Sequence, residues 1–176
     1  MLLIRSARSL ITITGLVVFF VIAGWGCSAE DDVSAIRGLI ETAVESAEIH
    51  EIGEIIDLTS DDFQALPGNL NRKATAGVLW RTFRHYGDFK IIHPQPGVDL
   101  EPESDKAKAS FPFLIVKKEH AFTELEKLYK DPKGWIEAVG ESADLYRIEL
   151  QLTGEGGDWL VRKATLERFR GVGFKK

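Results

Sequence analysis

Four ionisable side chains near apolar residues are the groups in this sequence that could do acid–base chemistry. His93 lies on the apolar face of a predicted strand, and Tyr146 heads the apolar face of another. Asp57 follows two isoleucines, and Glu167 shares a strand face with Trp159 if the alternation is unbroken. Burial favours the uncharged form of such groups and brings the pKa of a carboxyl group closer to neutrality, as a general acid or base requires. These four residues and Trp159 are therefore candidates for a pocket lining, with a solvated or packing role as the plainer interpretation of each.

No familiar catalytic or metal-binding motif accompanies these residues. The histidines are scattered, without HxH, HxxxH or HExxH spacing: His50, His85, His93 and His120. A single cysteine offers no partner for a metal site. GxSxG, GxGxxG and GxxxxGK[ST] are all absent from the sequence, which gives no support to a serine nucleophile or a nucleotide site. We therefore predict no catalytic set, no metal and no cofactor.

The only cysteine, Cys27, closes an N-terminal segment with the layout of an export signal. Arg5 and Arg8 supply positive charge, residues 10–23 are uncharged and largely apolar, and glycines flank a tryptophan before the cysteine. A lone cysteine in that place is the lipid acceptor of bacterial lipoproteins, and the segment resembles a lipoprotein signal peptide. The resemblance implies removal of residues 1–26 and a lipid-anchored protein in the cell envelope, facing the periplasm.

Two other fates of this segment stay open. Gly24 and Trp25 stand where a lipobox usually has an aliphatic and a small residue, so a secretory peptidase could instead cut near Ala23 or Ala29. The segment could also persist as a membrane anchor, although its strongly apolar part is shorter than the roughly 20 residues that span a bilayer. If Cys27 is acylated, the serine after it would permit sorting to the outer membrane of a Gram-negative cell.

Length and charge indicate one acidic domain behind this segment. Removal of residues 1–26 leaves 150 residues with 20 bases and 27 acids, a net charge of −7. We assign residues 27–32 to a short tether, 33–170 to the domain and 171–176 to a flexible basic tail. That tail holds too few bases to indicate nucleic-acid binding. Since no intramolecular disulfide is available, stability must come from packing.

The first half of the domain is predicted to be helical. Apolar residues recur at helical spacing, and the helices are predicted over residues 36–47, 54–58 and 72–86, the last ended by Gly87. Between them, residues 59–62 predict a break that caps another helical turn through Phe63 and Leu66. Residues 67–69 predict a turn.

The second half alternates with the period of strands. These are predicted over residues 89–93, 98–101, 106–116, 146–152 and 159–169. Pro112 argues that the third of them lies at an edge or carries a bulge. Residues 154–157 predict a hairpin turn. A bulge after Val161 would bring Ala164 and Leu166 to the core face.

Helices followed by antiparallel strands predict an α+β fold. The element order, with Asp61-Asp62-Phe63 and the strand opening Gly156-Gly157-Asp158-Trp159-Leu160-Val161, resembles the nuclear-transport-factor-2-like (SnoaL-like) superfamily over residues 30–170. The resemblance implies a cone-shaped, cystatin-like domain: a strongly bent antiparallel sheet wrapped around the N-terminal helices, with a pocket at the open end. The connection at 117–143 is long for the family and could form a lid or cover an edge.

The resemblance to this superfamily suggests several alternative functions. It includes ketosteroid isomerases, dehydratases and polyketide cyclases, and also members without chemistry. Because no convergent acid–base set is evident, we expect the domain to bind a small apolar ligand or an envelope protein without catalysis. The alternatives are a pocket enzyme of the isomerase, dehydratase or cyclase type, and an envelope-assembly protein that forms a homodimer through its sheet. Two of Asp57, His93, Tyr146 and Glu167 meeting in one cavity would favour the enzyme.

A last expectation concerns the core. The helical stripe Ile36, Leu39, Ile40 and Val44 should pack on the sheet face that carries Phe111, Phe113, Ile148 and Leu150. Leu39→Ala should then cost far more stability than Glu41→Ala.

Overall fold

A computed structural model describes residues 29–102, 104–117 and 143–168. The predicted export segment with Cys27, residues 118–142 of the long connection, and the C-terminal tail lie outside the described residues. The chain divides into two compact units, Met1–Asp32 and Val33–Lys176, and every described strand belongs to the second. None of the described helices has the length and apolar character needed to cross a membrane.

Three helices occupy the first half of the described chain. Helix α1 spans Ala29–Glu48, α2 spans Ile52–Asp57 and α3 spans Arg72–Tyr86. The backbone N–H of Ala74 donates to the Asn71 side chain at 2.9 Å, which caps the start of α3. Gly87, with a φ of 65°, ends that helix and donates its N–H to the Phe83 carbonyl. These bounds confirm the predicted helices.

Six strands form one curved, unclosed sheet in the described residues. They are β1 (Thr59–Leu66), β2 (Phe89–Ile92), β3 (Gly97–Leu100), β4 (Lys106–Lys117), β5 (Ala143–Glu155) and β6 (Asp158–Arg168). Their order is β1-β6-β5-β4-β2, and β3 pairs with another stretch of β4. All pairs are antiparallel except β1 with β6, which is parallel. The predicted α+β class is confirmed.

Strand β1 corrects the prediction of a break and a helical turn at this place. Thr59 lies opposite Val161 of β6, and Phe63 is 4 % exposed in the core. The strand has β6 on one side only, so polar residues such as Asp61 and Gln64 are exposed along it. Thr, Ser and Asp residues in succession are also typical of a helix N-cap, which explains the wrong prediction. Only pairing with a strand far along the chain makes it extended.

The core lies between α1 and one face of the sheet, called here the inner face. Its buried members are Ile36, Ile40, Phe63, Ala107, Ala109, Phe111, Leu150, Leu152 and Val161. Leu39, Phe113 and Ile148 pack against them while half-buried, as the helical stripe predicted. A second cluster of Ala47, Phe83 and Phe89 joins α1, α3 and β2. This second cluster fixes the end of α3 over the sheet.

The β5–β6 hairpin carries the predicted bulge. Its turn is Gly156–Gly157, where φ values of 64° and 101° suit glycine. Leu152 faces Val161 whereas Gln151 faces Lys163, so Arg162 is the extra residue. Beyond the bulge Ala164 packs against the core, and Leu166 on the same face is 41 % exposed.

Pro112 lies at a locally open edge of β4. Along that edge β3 pairs with Ala107–Ser110 and β2 pairs with Leu114–Lys117. In the described chain, residues 111–113 have no ladder partner there, although Pro112 faces Arg147 of β5 on the other side. The gap tolerates a residue without an N–H, as the sequence suggested.

Candidate functional site

A polar cavity opens where the end of α3 meets the start of β5 and the end of β6. Its volume is about 370 Å³. The described residues that line it are Arg81, Thr82, His85, Tyr86, Asp144, Tyr146 and Arg168. It is called here the α3–sheet cavity.

Strand alternation brings three of these side chains to the inner face. Asp144 and Tyr146 are two residues apart on β5, and Tyr146 lies opposite Arg168 of β6. On its other side Tyr146 lies opposite Phe113, and their rings stack with centroids 5.5 Å apart. On β5 and β6 the apolar face thus gives way to the polar positions of Asp144, Tyr146 and Arg168.

A chain of hydrogen bonds joins these side chains to Tyr86. The Tyr86 hydroxyl donates to Asp144 Oδ2 at 2.6 Å and lies 3.1 Å from the Tyr146 hydroxyl. Because Tyr86 has only one hydroxyl proton, Tyr146 is the donor to the Tyr86 oxygen. Arg168 donates to the other oxygen of Asp144, Oδ1. Both carboxylate oxygens of Asp144 are therefore occupied.

The surroundings of Tyr86 keep its hydroxyl protonated. Burial, together with the hydrogen bond to Asp144, raises the pKa of Tyr86 well above its ordinary value of 10.0. The hydrogen bond to Asp144 also raises the pKa of Arg168, which stays charged. The hydrogen bond from Tyr86 to Asp144 is consequently fixed in direction. It orients groups and offers no free base.

The described lining has an excess of positive charge. Arg81 and Arg168 are cationic, and His85 adds a third nitrogen base, whereas Asp144 is the only carboxylate among the described lining residues. The C-terminal end of a helix favours positively charged side chains, which accounts for the position of His85. It does not account for Arg168, which comes from the sheet.

Tyr146 is the one predicted pocket residue that lines the cavity. His93 lies elsewhere, between α1 and the sheet, with its side chain 8 % exposed rather than near solvent as we expected. Its Nδ1 donates to the Pro94 carbonyl at 2.8 Å, and its Nε2 lies 3.7 Å from Glu41. Its ring also contacts Phe111, with centroids 5.2 Å apart. His93 therefore has a packing environment.

The other three predicted residues are dispersed. Asp57 is 83 % exposed at its side chain and lies 3.5 Å from Arg72. Trp159 packs half-buried against the core, and Glu167 lies across from Arg147 on the opposite face from Tyr146. In the part of the chain that the structure describes, Asp57, His93, Tyr146 and Glu167 share no hydrogen bond with one another. The described residues also contain no cluster of three His, Cys, Asp or Glu able to hold a metal ion.

Sequence reasoning missed Tyr86, Asp144, Arg168, Arg81 and His85. One signal was available for Asp144, because it is in phase with Tyr146 and Ile148 at the start of β5. A carboxylate in phase with an apolar strand face is a candidate for a polar contact on that face. Tyr86 had only its helix-end position, which a packing role explains equally well.

The raised pKa of Tyr86 predicts an absorbance titration. The sequence has three tyrosines. The folded wild-type and Tyr86→Phe proteins should form the same number of phenolates per chain up to about pH 11. In denaturant the unfolded wild type should form one phenolate more than the unfolded Tyr86→Phe protein. Since the folded pKa is raised, the stabilising contribution of Tyr86 is complete below the unfolded pKa near 10 and is lost as the pH rises above it. If the folded wild type formed one phenolate near pH 10 that the folded Tyr86→Phe protein did not form, the prediction would be contradicted.

Solved structures share this architecture. A nuclear-transport-factor-2-like protein of unknown function from Pseudomonas putida KT2440 is 18% identical, with a TM-score of 0.60 over 81% of this chain and 89% of that one. This chain has the nuclear-transport-factor-2-like fold. A scytalone-dehydratase-like protein from Novosphingobium aromaticivorans DSM 12444 shares the nuclear-transport-factor-2-like fold at 13% identity and a TM-score of 0.57, over 90% of this chain and 89% of that one.

The nuclear-transport-factor-2-like fold also matches part of a longer protein. Bd1075 of Bdellovibrio bacteriovorus is 12% identical with a TM-score of 0.57 over 82% of this chain, which spans only 44% of Bd1075. No protein-family model and no curated protein matches the sequence. At such identities the likeness shows the fold alone, and function has to be argued from the cavity.

Proposed function

We propose that this protein is a membrane-anchored exported lipoprotein whose domain binds a small anionic molecule in the α3–sheet cavity without transforming it. The observation that supports binding is the charge of the lining. Arg81 and Arg168 face a cavity whose one described carboxylate, Asp144, is already occupied by Tyr86 and Arg168. The sequence suggested an apolar ligand, and the charged lining favours an anionic one.

The hydrogen-bond chain gives the ligand site its polarity. Arg81 is the cation that the Asp144 pair leaves available to a ligand carboxylate or phosphate, and such charge-assisted bonds are the strong ones. The Tyr146 hydroxyl can rotate from Tyr86 to the ligand, since Tyr86 keeps Asp144 as its acceptor. The Tyr146 ring, which stacks on Phe113, provides an apolar surface beside these donors. A carboxylate on a short apolar body fits this combination.

Binding can be tested with a panel of small aliphatic and aromatic carboxylates by calorimetry. Arg81→Gln should weaken the best binder about tenfold or more, because a hydrogen bond to a charged group contributes about 1.5–3 kcal/mol. Arg162→Gln is the matched control, since Arg162 is exposed and pairs with Asp62 away from the cavity. Equal affinities of the two variants would place the ligand elsewhere, and the absence of any binder would remove the proposal.

A pocket enzyme is the second candidate, favoured by one observation. Two tyrosine hydroxyls 3.1 Å apart share the cavity with His85, a possible proton carrier. The scytalone-dehydratase-like neighbour makes a dehydration the reaction to test first. Loss of turnover in His85→Gln and Tyr146→Phe, with ligand affinity retained, would support this candidate over simple binding.

The anchor is proposed from the sequence alone. Cys27 follows the charged and apolar segment and would become the acylated N-terminus. Two or more acyl chains give stable membrane retention, whereas a single chain gives only reversible binding. An envelope-protein partner, self-association through the sheet and an outer-membrane location remain predictions.

Expression of the full chain in a Gram-negative host tests this anchor. We expect the mature protein in the membrane fraction, with an acylated peptide beginning at Cys27 in mass spectrometry. The Cys27→Ser protein should lack the lipid and keep its N-terminal segment. An unmodified Cys27, or a mature start at another residue, would overturn the lipoprotein assignment.

A further inference from the structure

Helix α3 carries an exposed face that the cavity does not explain. Lys73, Gly77, Trp80 and Arg84 follow one another at spacings of three or four residues and share one side of the helix. Trp80 is 53 % exposed, and the Arg84 guanidinium lies 4.9 Å from the centre of its ring. Arg81 borders this side. Lys73, Trp80, Arg81 and Arg84 together are called here the α3 basic face.

This face is basic in a protein that is otherwise acidic. Helix α3 holds four Lys or Arg residues and no acid, whereas the whole chain has a net charge of −5. Arg72 is paired with Asp57 and Asp61. No ion pair joins Lys73, Arg81 or Arg84 to an acidic residue in the described ranges. Three cations around a tryptophan therefore face outwards.

We propose that the α3 basic face docks on the surface of an anionic phospholipid bilayer. Cations are attracted to anionic headgroups, and the amphipathic indole ring is favoured at the level of the headgroups. The choice of a bilayer as the occupant rests in part on the proposed lipid anchor, which would hold the domain beside one. The charge complementarity stands without the anchor.

The expected strength of this contact is enough to orient an anchored domain on the membrane, but not to retain a free domain there. A Lys or Arg near an anionic leaflet strengthens binding about fivefold, so three bases supply roughly a hundredfold. That is too little to hold a free domain on a membrane. A tethered domain has a high effective concentration at the surface, where the same gain selects one orientation. Arg81 also lines the α3–sheet cavity, so this orientation would place the cavity beside the headgroups.

The test uses the protein purified after expression of the full chain in a Gram-negative host and reconstituted in vesicles that contain a brominated lipid, which quenches tryptophan on contact. Because the chain has four tryptophans, the share of Trp80 is the difference between the wild-type and Trp80→Phe proteins. We expect this share to be quenched in vesicles of brominated phosphatidylcholine with phosphatidylglycerol, and to recover as salt is added. It should stay unquenched in vesicles of brominated phosphatidylcholine alone.

Two charge-reversed variants separate this face from net charge. Lys73→Glu with Arg84→Glu should abolish the quenching of Trp80. Lys106→Glu with Lys108→Glu makes the same charge change at exposed positions of β4 and should preserve it. Thermal melts would verify that both variants fold, since all four side chains are exposed.

Three results would overturn the docking proposal: no quenching of Trp80, equal quenching in neutral vesicles, or equal losses in the two variants. The absence of quenching in both kinds of vesicle would point to a protein partner instead. Failure of the anchor gives a separate signature, because the protein would then not sediment with neutral vesicles. Failure of ligand binding in the cavity would leave the quenching unchanged.

Discussion

Phe63→Ala is expected to destabilise the protein by about 3–5 kcal/mol, the usual cost of truncating a buried phenylalanine. Phe63 is 4 % exposed and packs with Ile36 and Ile40 in the core cluster. The substitution removes the ring that fastens β1, an edge strand, to the rest of the domain. The loss would be a large part of the 5–15 kcal/mol that ordinarily stabilises a domain.

Urea unfolding of Phe63→Ala beside Gln64→Ala provides the measurement. Gln64 is the next residue on β1 and is exposed, so its truncation should change stability by no more than about 0.5 kcal/mol. The midpoint should fall for the first variant and stay for the second. Similar small shifts in both would mean that β1 does not pack on the core.

Ile40→Ala should cost about 2–5 kcal/mol, because Ile40 is 2 % exposed where α1 meets the sheet. Ile40 tests the packing of α1 better than Leu39, because Leu39, which the sequence suggested, is only half-buried. Glu45→Ala on the same helix is the control and should cost less than about half a kcal/mol, since Glu45 is exposed. Equal and small losses at both positions would show that α1 is a stalk rather than part of the core.

Local signals were sufficient for the helices and for the hairpin. The spacing of apolar residues gave α1, and Gly87 gave the end of α3, because both depend on neighbours within a few positions. The bulge was also predictable. Without a one-residue insertion, Ala164 would have pointed away from the core while polar residues entered it.

The cavity and β1 required information that no local pattern holds. Tyr86 and Asp144 are 58 positions apart, and their contact depends on how α3 ends over the sheet. Their residue types suit many surface sites equally well. His93 shows the converse: its strand position suggested a group near solvent, and packing from α1 determined its burial.

The parallel pairing of β1 with β6 has a consequence for the order of folding. The ion pair between Asp62 and Arg162 links residues 100 positions apart, whereas the β5–β6 hairpin closes through two glycines. Hairpins form within microseconds, whereas the pairing of distant strands loses loop-closure entropy before any contact compensates for it. We therefore expect the hairpin to form early and β1 to join late. Until then the outer edge of β6 is unpaired, and a newly synthesised chain is open to mispairing with its neighbours at this edge.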